Sequence, residues 1–181
     1  MKFKICNYSY FIADFDGVFT DNHVYLNHLG EEFVKCSRSD GFGISMLKSA
    51  NVLKITDLQI AILSLEKNKV VNARSKKMGI PCFTGIQNKY AFLEKTYFPS
   101  LNVDVGEGFT RLIYLGNDLN DLKVIERAGI SLVPNDSHPL VLNKASNVLS
   151  RNGGHGFVRE AVEKIIGVKN ILTVLDHLEG H

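Results

Sequence analysis

Short apolar runs of strand length alternate with amphipathic stretches along this chain, and no other feature constrains the fold as much. The runs predict strands over 8–14, 59–64, 82–84, 112–115, 130–133 and 147–149. Apolar residues at helical spacing predict helices over 43–49, 69–78, 89–97, 119–128 and 157–166. Alternation of this kind is expected of a parallel sheet flanked by helices, because successive parallel strands are joined by crossover helices. The expected fold is therefore α/β, a Rossmann-like doubly wound parallel sheet. At 181 residues the chain reads as a single domain spanning 1–181, long enough to bury a full core.

One segment breaks the rhythm. From about 20 to 38 the chain reads Val24-Tyr25-Leu26, then Asn27-His28-Leu29-Gly30, then Glu32-Phe33-Val34-Lys35-Cys36, a β-hairpin around an Asn/Gly turn. A lone two-stranded hairpin is marginally stable in water, so it must pack on something, either its own domain or another subunit. The stretch from about 167 to 181 carries Val168, Ile171, Leu172, Val174, Leu175 and Leu178 and reads as a terminal helix or tail. Residues 178–181 are read as partly a cloning remnant.

Composition excludes several classes. The net charge is +2, from 21 Lys and Arg against 19 Asp and Glu, without a basic cluster, so nucleic acid is not an expected partner. The three cysteines, Cys6, Cys36 and Cys82, have no C-x-x-C spacing, which fits a reducing cytoplasm and excludes a disulfide framework or zinc site. The only i, i+4 pair among the six histidines is His177 and His181 at the very end of the chain, away from the acid motifs, so a His-based metal site is not expected. The apolar patch at Phe11 and Ile12 is too short for a signal-peptide core or a membrane span.

Chemistry concentrates where the runs end. Asp14-Phe15-Asp16-Gly17 follows Tyr10-Phe11-Ile12-Ala13. In an extended chain residues i and i+2 share a side, so both carboxylates would aim at one point, and Gly17 would let the backbone turn sharply. A second acid cluster, Gly116-Asn117-Asp118-Leu119-Asn120-Asp121, follows Leu112-Ile113-Tyr114-Leu115. In open α/β sheets ligands bind at the carboxyl ends of the strands, so the two clusters should face one another there. Asp and Asn oxygens suit a hard cation such as Mg²⁺. Alone, Asp118 and Asp121 would cap a helix beginning at Leu119. Ser64 ends the run Gln59-Ile60-Ala61-Ile62-Leu63 and could grip a phosphoryl oxygen or simply cap the next helix. Lys89 stands at a helix start, where the macrodipole disfavours a cation; it is either an exposed lysine or the partner of a local anion.

The ordered set of Asp-x-Asp, Ser, Lys and Gly-x-Asp-x-x-Asp, each after a strand, resembles the haloacid dehalogenase (HAD) superfamily of phosphohydrolases from Phe11 to about Ile166. The resemblance implies that Asp14 attacks phosphorus to form an aspartyl-phosphate, and that Asp16 protonates the leaving alcohol and then activates water. It assigns Ser64 and Lys89 to the phosphoryl group and Mg²⁺ to Asp14, the Asp16 carbonyl and the last acid motif. That motif departs from the family pattern, since Asn117 holds the usual metal Asp position and Asp118 follows. Either can be the direct ligand, with Asp121 behind them.

Only the hairpin and one helix fit in the first gap, and only one helix and one strand between Leu65 and Asn88, so the chain resembles a capless member with the hairpin in place of a cap domain. The stretches Asp14-Phe-Asp-Gly-Val-Phe-Thr-Asp21, Ser39-Asp-Gly-Phe-Gly-Ile44, residues 116–121 and Gly153-Gly-His-Gly-Phe-Val-Arg-Glu160 resemble the phosphatases of 3-deoxy-2-keto sugar acids. These include the octulosonate 8-phosphate and deoxynononate 9-phosphate phosphatases and phosphatase-like domains fused to acylneuraminate cytidylyltransferases. The resemblance implies a homotetramer in which one subunit's hairpin covers the neighbour's site. In the octulosonate branch the second motif reads Thr-Gly-Arg, whereas here it is Ser64-Leu65-Glu66 with Arg74 and Lys77 downstream, closer to the nine-carbon, sialate-like branch. Arg74 and Lys77 are candidates to pair with the sugar carboxylate, with a solvated helix face as the alternative. The turn at Gly153-Gly154-His155-Gly156 either presents N–H groups to an anion or starts a helix. Two other readings compete: a catalytically silent scaffold or oligomerisation module, and a response-regulator receiver domain, which the doubled acid motifs disfavour.

Overall fold

A computed structural model describes residues 5–180. In chain order the elements are β1 (Tyr10–Ala13), β2 (Tyr25–Leu26), β3 (Glu32–Phe33), α1 (Arg38–Val52), β4 (Gln59–Leu63), α2 (Lys69–Met78), β5 (Cys82–Phe83), α3 (Lys89–Phe92), α4 (Phe98–Ser100), α5 (Val105–Thr110), β6 (Leu112–Leu115), α6 (Leu122–Arg127), β7 (Ile130–Val133), α7 (Pro139–Lys144), β8 (Asn147–Val148), α8 (Phe157–Ile166) and α9 (Val168–Glu179). A π-helical turn, Leu93–Tyr97, joins α3 to α4.

The six expected strands form one parallel sheet in the order β5-β4-β1-β6-β7-β8. Strand order therefore runs outward in opposite directions from β1, which opens a crevice at the carboxyl ends of the central strands. Ala13 pairs with Ile62 on one side and Leu115 on the other, so Asp14, Ser64 and Gly116 leave the sheet at nearly the same height. Strands β1, β6 and β7 are buried along their whole length. Helices cover both faces. On one, Ile44 and Leu47 of α1 pack with Phe157, Val158, Ala161, Val162, Ile165 and Ile166 of α8 and Val174 of α9. On the other, Tyr90, Leu93, Tyr97 and Phe98 pack with Phe109, Val124, Ile125 and Val141. Each fully buried large apolar side chain contributes about 1.5–3 kcal/mol, so these two faces supply the driving force that orders the strand ends.

Boundaries shift where side chains intervene. Helix α1 begins five residues before the expected start at 43, because the Ser37 hydroxyl accepts from the N–H groups of Ser39 and Asp40. The helix expected from Leu119 begins only at Leu122. The unanticipated α5 and α7 are short; α5 contains Gly106 and Gly108, and α7 is started by Pro139 and the His138 ring, both weak signals of helix in sequence. The terminal stretch is a helix through Glu179, and Leu178 packs against the core. His181, included in the expected remnant, lies outside the described residues.

The hairpin forms as expected, with Tyr25 opposite Phe33, closed by the Asn27 side chain accepting from the N–H groups of Leu29 and Glu31. Only its base, through Val34 and Cys36, reaches the core. Its tip leaves Val24, Tyr25, Leu26, Leu29 and Phe33 between 54% and 70% exposed. Among the described residues no helix is long and apolar enough to cross a membrane.

Candidate active site

The ends of β1, β4 and β6 enclose a cavity of about 400 Å³ lined by Asp14, Asp16, Ser64, Glu66, Asn117 and Asp118. Asp14 and Asp16 reach it by a route other than strand alternation. β1 ends at Ala13, and Asp16 lies in the turn that follows, where Phe19 N–H bonds to Phe15 O at 2.8 Å. Strand alternation could not have marked a face, because β1 is buried on both sides.

Asp14 is fixed from three directions. Its N–H donates to Leu115 O at 2.8 Å, its carboxylate accepts from Phe15 N–H at 2.7 Å, and Lys89 Nζ stands 2.7 Å from Oδ1. Lys89 is fully buried and also lies 2.7 Å from Asp121 Oδ1. The anions that a cation in a first helical turn calls for are thus both present. Burial works against the Lys89 charge, but Asp14 and Asp121 outweigh it and hold the lysine above its ordinary value. Burial, then the nearby Asp121 charge, push the Asp14 carboxyl up to about 8 against the pull of Lys89. Two buried acids share one lysine, so ionising Asp14 would leave an uncompensated negative charge on the cavity floor, which a bound cation would offset.

Asp121 organises the second acid cluster. Its carboxylate accepts from Lys89 at 2.7 Å, Tyr114 hydroxyl at 2.6 Å, Asn117 N–H at 2.9 Å and Asp118 N–H at 3.4 Å. Asp121 occupies the N-cap position of α6, yet its side chain makes no cap bond to that helix. It instead ties residues 117 and 118 into a turn, which is why α6 starts late. Tyr114 was not singled out in the sequence, although a hydroxyl inside the buried run Leu-Ile-Tyr-Leu requires a polar partner and was a usable signal. Burial raises its hydroxyl well above the ordinary tyrosine range, so it acts as a donor. Tyr114→Phe is expected to lower stability by about 1–3 kcal/mol, the range for leaving a buried acceptor short of a partner. Urea unfolding measures this, and an unchanged midpoint would show that the bond adds no net stability.

Gly17 adopts φ +75°, and a Cβ there would sit 2.0 Å from Asn117 Nδ2, so the glycine allows the two motif loops to meet. The Asn117 side chain points inward, and its buried Oδ1 has no hydrogen-bond partner. Among the described residues no group of three His, Cys, Asp or Glu side chains forms a metal cluster. The donor set at this cavity is of another kind: an orphaned amide oxygen beside carboxylates, all oxygen, which fits a hard cation such as Mg²⁺.

Ser64 is buried, and its Oγ accepts from Glu66 N–H at 3.1 Å, leaving the hydroxyl hydrogen to be donated elsewhere. It does not cap α2, a role taken by Asn68. Glu66 lines the cavity, whereas Arg74 and Lys77 do not. Arg74 donates to Ser37 O at 3.0 Å and packs over Gly41, bracing the start of α1, and Lys77 lies exposed on α2. The turn at 153–156 offers nothing to an anion, because the N–H groups of Gly153, Gly154, His155 and Gly156 bond to Asp136, Val18, Asn152 and Asp40.

No protein-family model matches the chain. It is 33% identical over 168 residues to the 3-deoxy-D-manno-octulosonate 8-phosphate phosphatase KdsC of Escherichia coli (strain K12), covering 90% of this chain and 81% of that one. Among solved structures it resembles a HAD family hydrolase from Streptomyces avermitilis, with a TM-score of 0.82 at 32% identity over 93% of this chain and 91% of the other. The cobalt-bound deoxy-D-mannose-octulosonate 8-phosphate phosphatase of Haemophilus influenzae aligns with a TM-score of 0.77 at 30% identity, covering 91% and 90% of the two chains.

Proposed function

Because the chain belongs to the KdsC-type 3-deoxy-D-manno-octulosonate 8-phosphate phosphatase family of HAD phosphatases, we propose that it hydrolyses the phosphate monoester of a 3-deoxy-2-keto sugar acid through an aspartyl-phosphate on Asp14. The observation that carries this reading is the Asp14 carboxylate at the cavity floor, oriented by Phe15 N–H and by Lys89 at 2.7 Å, with Asp16 on the same cavity.

An Asp14 oxygen attacks phosphorus as the ester P–O bond breaks, and Asp16 gives its proton to the departing sugar oxygen. Water then attacks the same phosphorus, gives a proton to Asp16, and the P–O bond to Asp14 breaks to release phosphate. Splitting hydrolysis in this way replaces one slow displacement by two easier ones. The Ser64 hydroxyl, on the cavity wall, holds a phosphoryl oxygen, and Lys89, buried behind Asp14 rather than lining the cavity, supplies positive charge beside the transferred group, since phosphoryl transfer depends chiefly on positioning and charge neutralisation. Asp14, the Asp16 carbonyl, Asn117 and Asp118 are the residues that would hold Mg²⁺. When bound, it neutralises charge on the phosphoryl oxygens and on the paired carboxylates. Chelation is expected to abolish turnover and Mg²⁺ to restore it; turnover unaffected by a chelator would overturn the metal assignment.

The nine-carbon ester is the preferred substrate in this reading. Its support inside the cavity is Glu66, a carboxylate where the octulosonate branch has Arg, which reverses the charge offered to the sugar. Arg74 and Lys77, the other basis for that preference, lie away from the cavity. The eight-carbon ester is the second reading, supported by the names of the relatives. Glu66 suits hydroxyl donors, and the exposed apolar hairpin tip supports a homotetramer in which it covers a neighbour's cavity. Steady-state kinetics on both esters with Mg²⁺ test the proposal. The expected result is a kcat/KM at least about tenfold higher for the nine-carbon ester, equivalent to about 1.4 kcal/mol. If neither ester exceeds p-nitrophenyl phosphate, the substrate class is wrong.

A further inference from the structure

The turn Gly153-Gly154 packs directly behind the acid loop. A Cβ at Gly153 would lie 2.0 Å from the Gly17 carbonyl oxygen, and one at Gly154, itself at φ +65°, would lie 2.4 Å from the Thr20 carbonyl carbon. No side chain fits between the two backbones. They are also bonded, since Gly154 N–H donates to Val18 O at 3.0 Å. The turn is clamped at both ends by carboxylates from other elements. Asp136, beyond the carboxyl end of β7, accepts from Gly153 N–H at 3.0 Å. The buried Asp40 of α1 accepts from Gly156 N–H at 3.2 Å and Arg159 N–H at 3.0 Å.

The loop supported in this way carries the acid. Thr20, fully buried, receives the Gly17 N–H on Oγ1 at 3.1 Å and the Asn22 N–H at 3.2 Å, and its own hydroxyl hydrogen points to Asp16 Oδ1 at 3.5 Å. Moving the backbone of Gly17 or Thr20 by a few tenths of an ångström would therefore move the Asp16 carboxylate. Misplacement on that scale is costly in catalysis, where reacting groups must be held near their productive geometry.

We propose that the Gly153-Gly154 turn, anchored by Asp136, is a positioning element for catalysis. It fixes the backbone from Gly17 to Thr20, so that the Thr20 hydroxyl keeps Asp16 aimed at the leaving oxygen. The inference rests on the reading of Asp16 as general acid. It also gives the 153–156 stretch a role that the phosphatase site itself does not use.

The test compares two esters that differ in their need for a proton. The sugar oxygen of an alkyl sugar-acid phosphate is a poor leaving group and needs the Asp16 proton, whereas p-nitrophenolate leaves without one. The measured quantity is kcat/KM, which covers the steps through phosphorylation of Asp14. Asp136→Ala is expected to lower kcat/KM on the sugar-acid ester about tenfold and on p-nitrophenyl phosphate by less than about twofold, a fraction of the ~10²–10⁴ that general acid catalysis supplies. Asp136→Asn keeps an oxygen acceptor for Gly153 N–H and should restore most of the loss. Gly153→Ala should show the same selectivity with a larger loss; if it does not fold, the Asp136 pair decides alone. Equal losses on both esters, no loss, or no rescue by Asp136→Asn would overturn the inference. A wild-type protein that turns over neither ester overturns the phosphatase reading itself, and this inference with it.

Discussion

Asp14→Asn is expected to abolish phosphate release from the sugar-acid ester while leaving the fold intact. The amide cannot supply the oxygen pair that forms the aspartyl-phosphate, and removing a covalent nucleophile costs about 10⁴-fold or more in kcat. Asn is nearly isosteric, and its Oδ1 can still accept the Phe15 N–H bond that the carboxylate accepts at 2.7 Å. Lys89 keeps Asp121 as partner at 2.7 Å, so no buried cation is left alone. One of two acids crowding that lysine disappears, and the urea midpoint should therefore stay level or rise. Phosphate release with steady-state substrate, together with unfolding of the same sample, checks both halves. Residual turnover within tenfold of the wild type would mean that another group attacks phosphorus. A wild-type chain without activity on any phosphate ester would favour the silent-scaffold reading.

Lys89→Met is expected to remove activity and stability together. The lysine side chain is fully buried between Asp14 and Asp121, each 2.7 Å away. Met fills similar volume but leaves two acids in a site where burial already raises Asp14. Breaking a buried pair by removing one partner typically costs about 3–5 kcal/mol, because the remaining charge is unpaired. Most of that loss should return in the double variant Lys89→Met/Asp121→Asn, which removes one of the stranded charges, whereas activity should not return. An unfolding midpoint for Lys89→Met equal to that of the wild type would show that the lysine contributes no net stability. Recovered turnover in the double variant would show that it has no catalytic part.

The alternation of apolar runs with helical stretches was enough to predict the parallel sheet, because a strand buried on both faces and an amphipathic helix each need only a local pattern to be seen. The same holds for Asp14, Ser64, Asn117 and Asp118, which follow directly on strands β1, β4 and β6 and so reach the crevice by topology alone. Lys89 was readable for a different reason: a cation at a helix start is unfavourable unless an anion lies near, and two do. Asp121 was expected behind Asn117 and Asp118, with a helix cap as the alternative, and its carboxylate does lie there; its reach to Lys89 and Tyr114 as well could be seen only in the structure. Arg74 and Lys77 carried the right charge for a sugar acid, yet the rotation of α2 gives Arg74 to the Ser37 carbonyl and leaves Lys77 exposed.

What could be read from residue order alone was the fold, the strand-end positions of the acids, and the placement of Ser64 and Lys89 close to them. These follow from periodicity and from local electrostatics, both of which act over a few residues. Only the tertiary structure decided how these groups are held. Asp14 and Asp121 share Lys89, Gly17 lies against Asn117, and Gly153 and Gly154 lie against Gly17 and Thr20, contacts between segments far apart in the chain. They depend on segments packed to within a few tenths of an ångström of their required separation, a precision that packing sets and that no local pattern encodes.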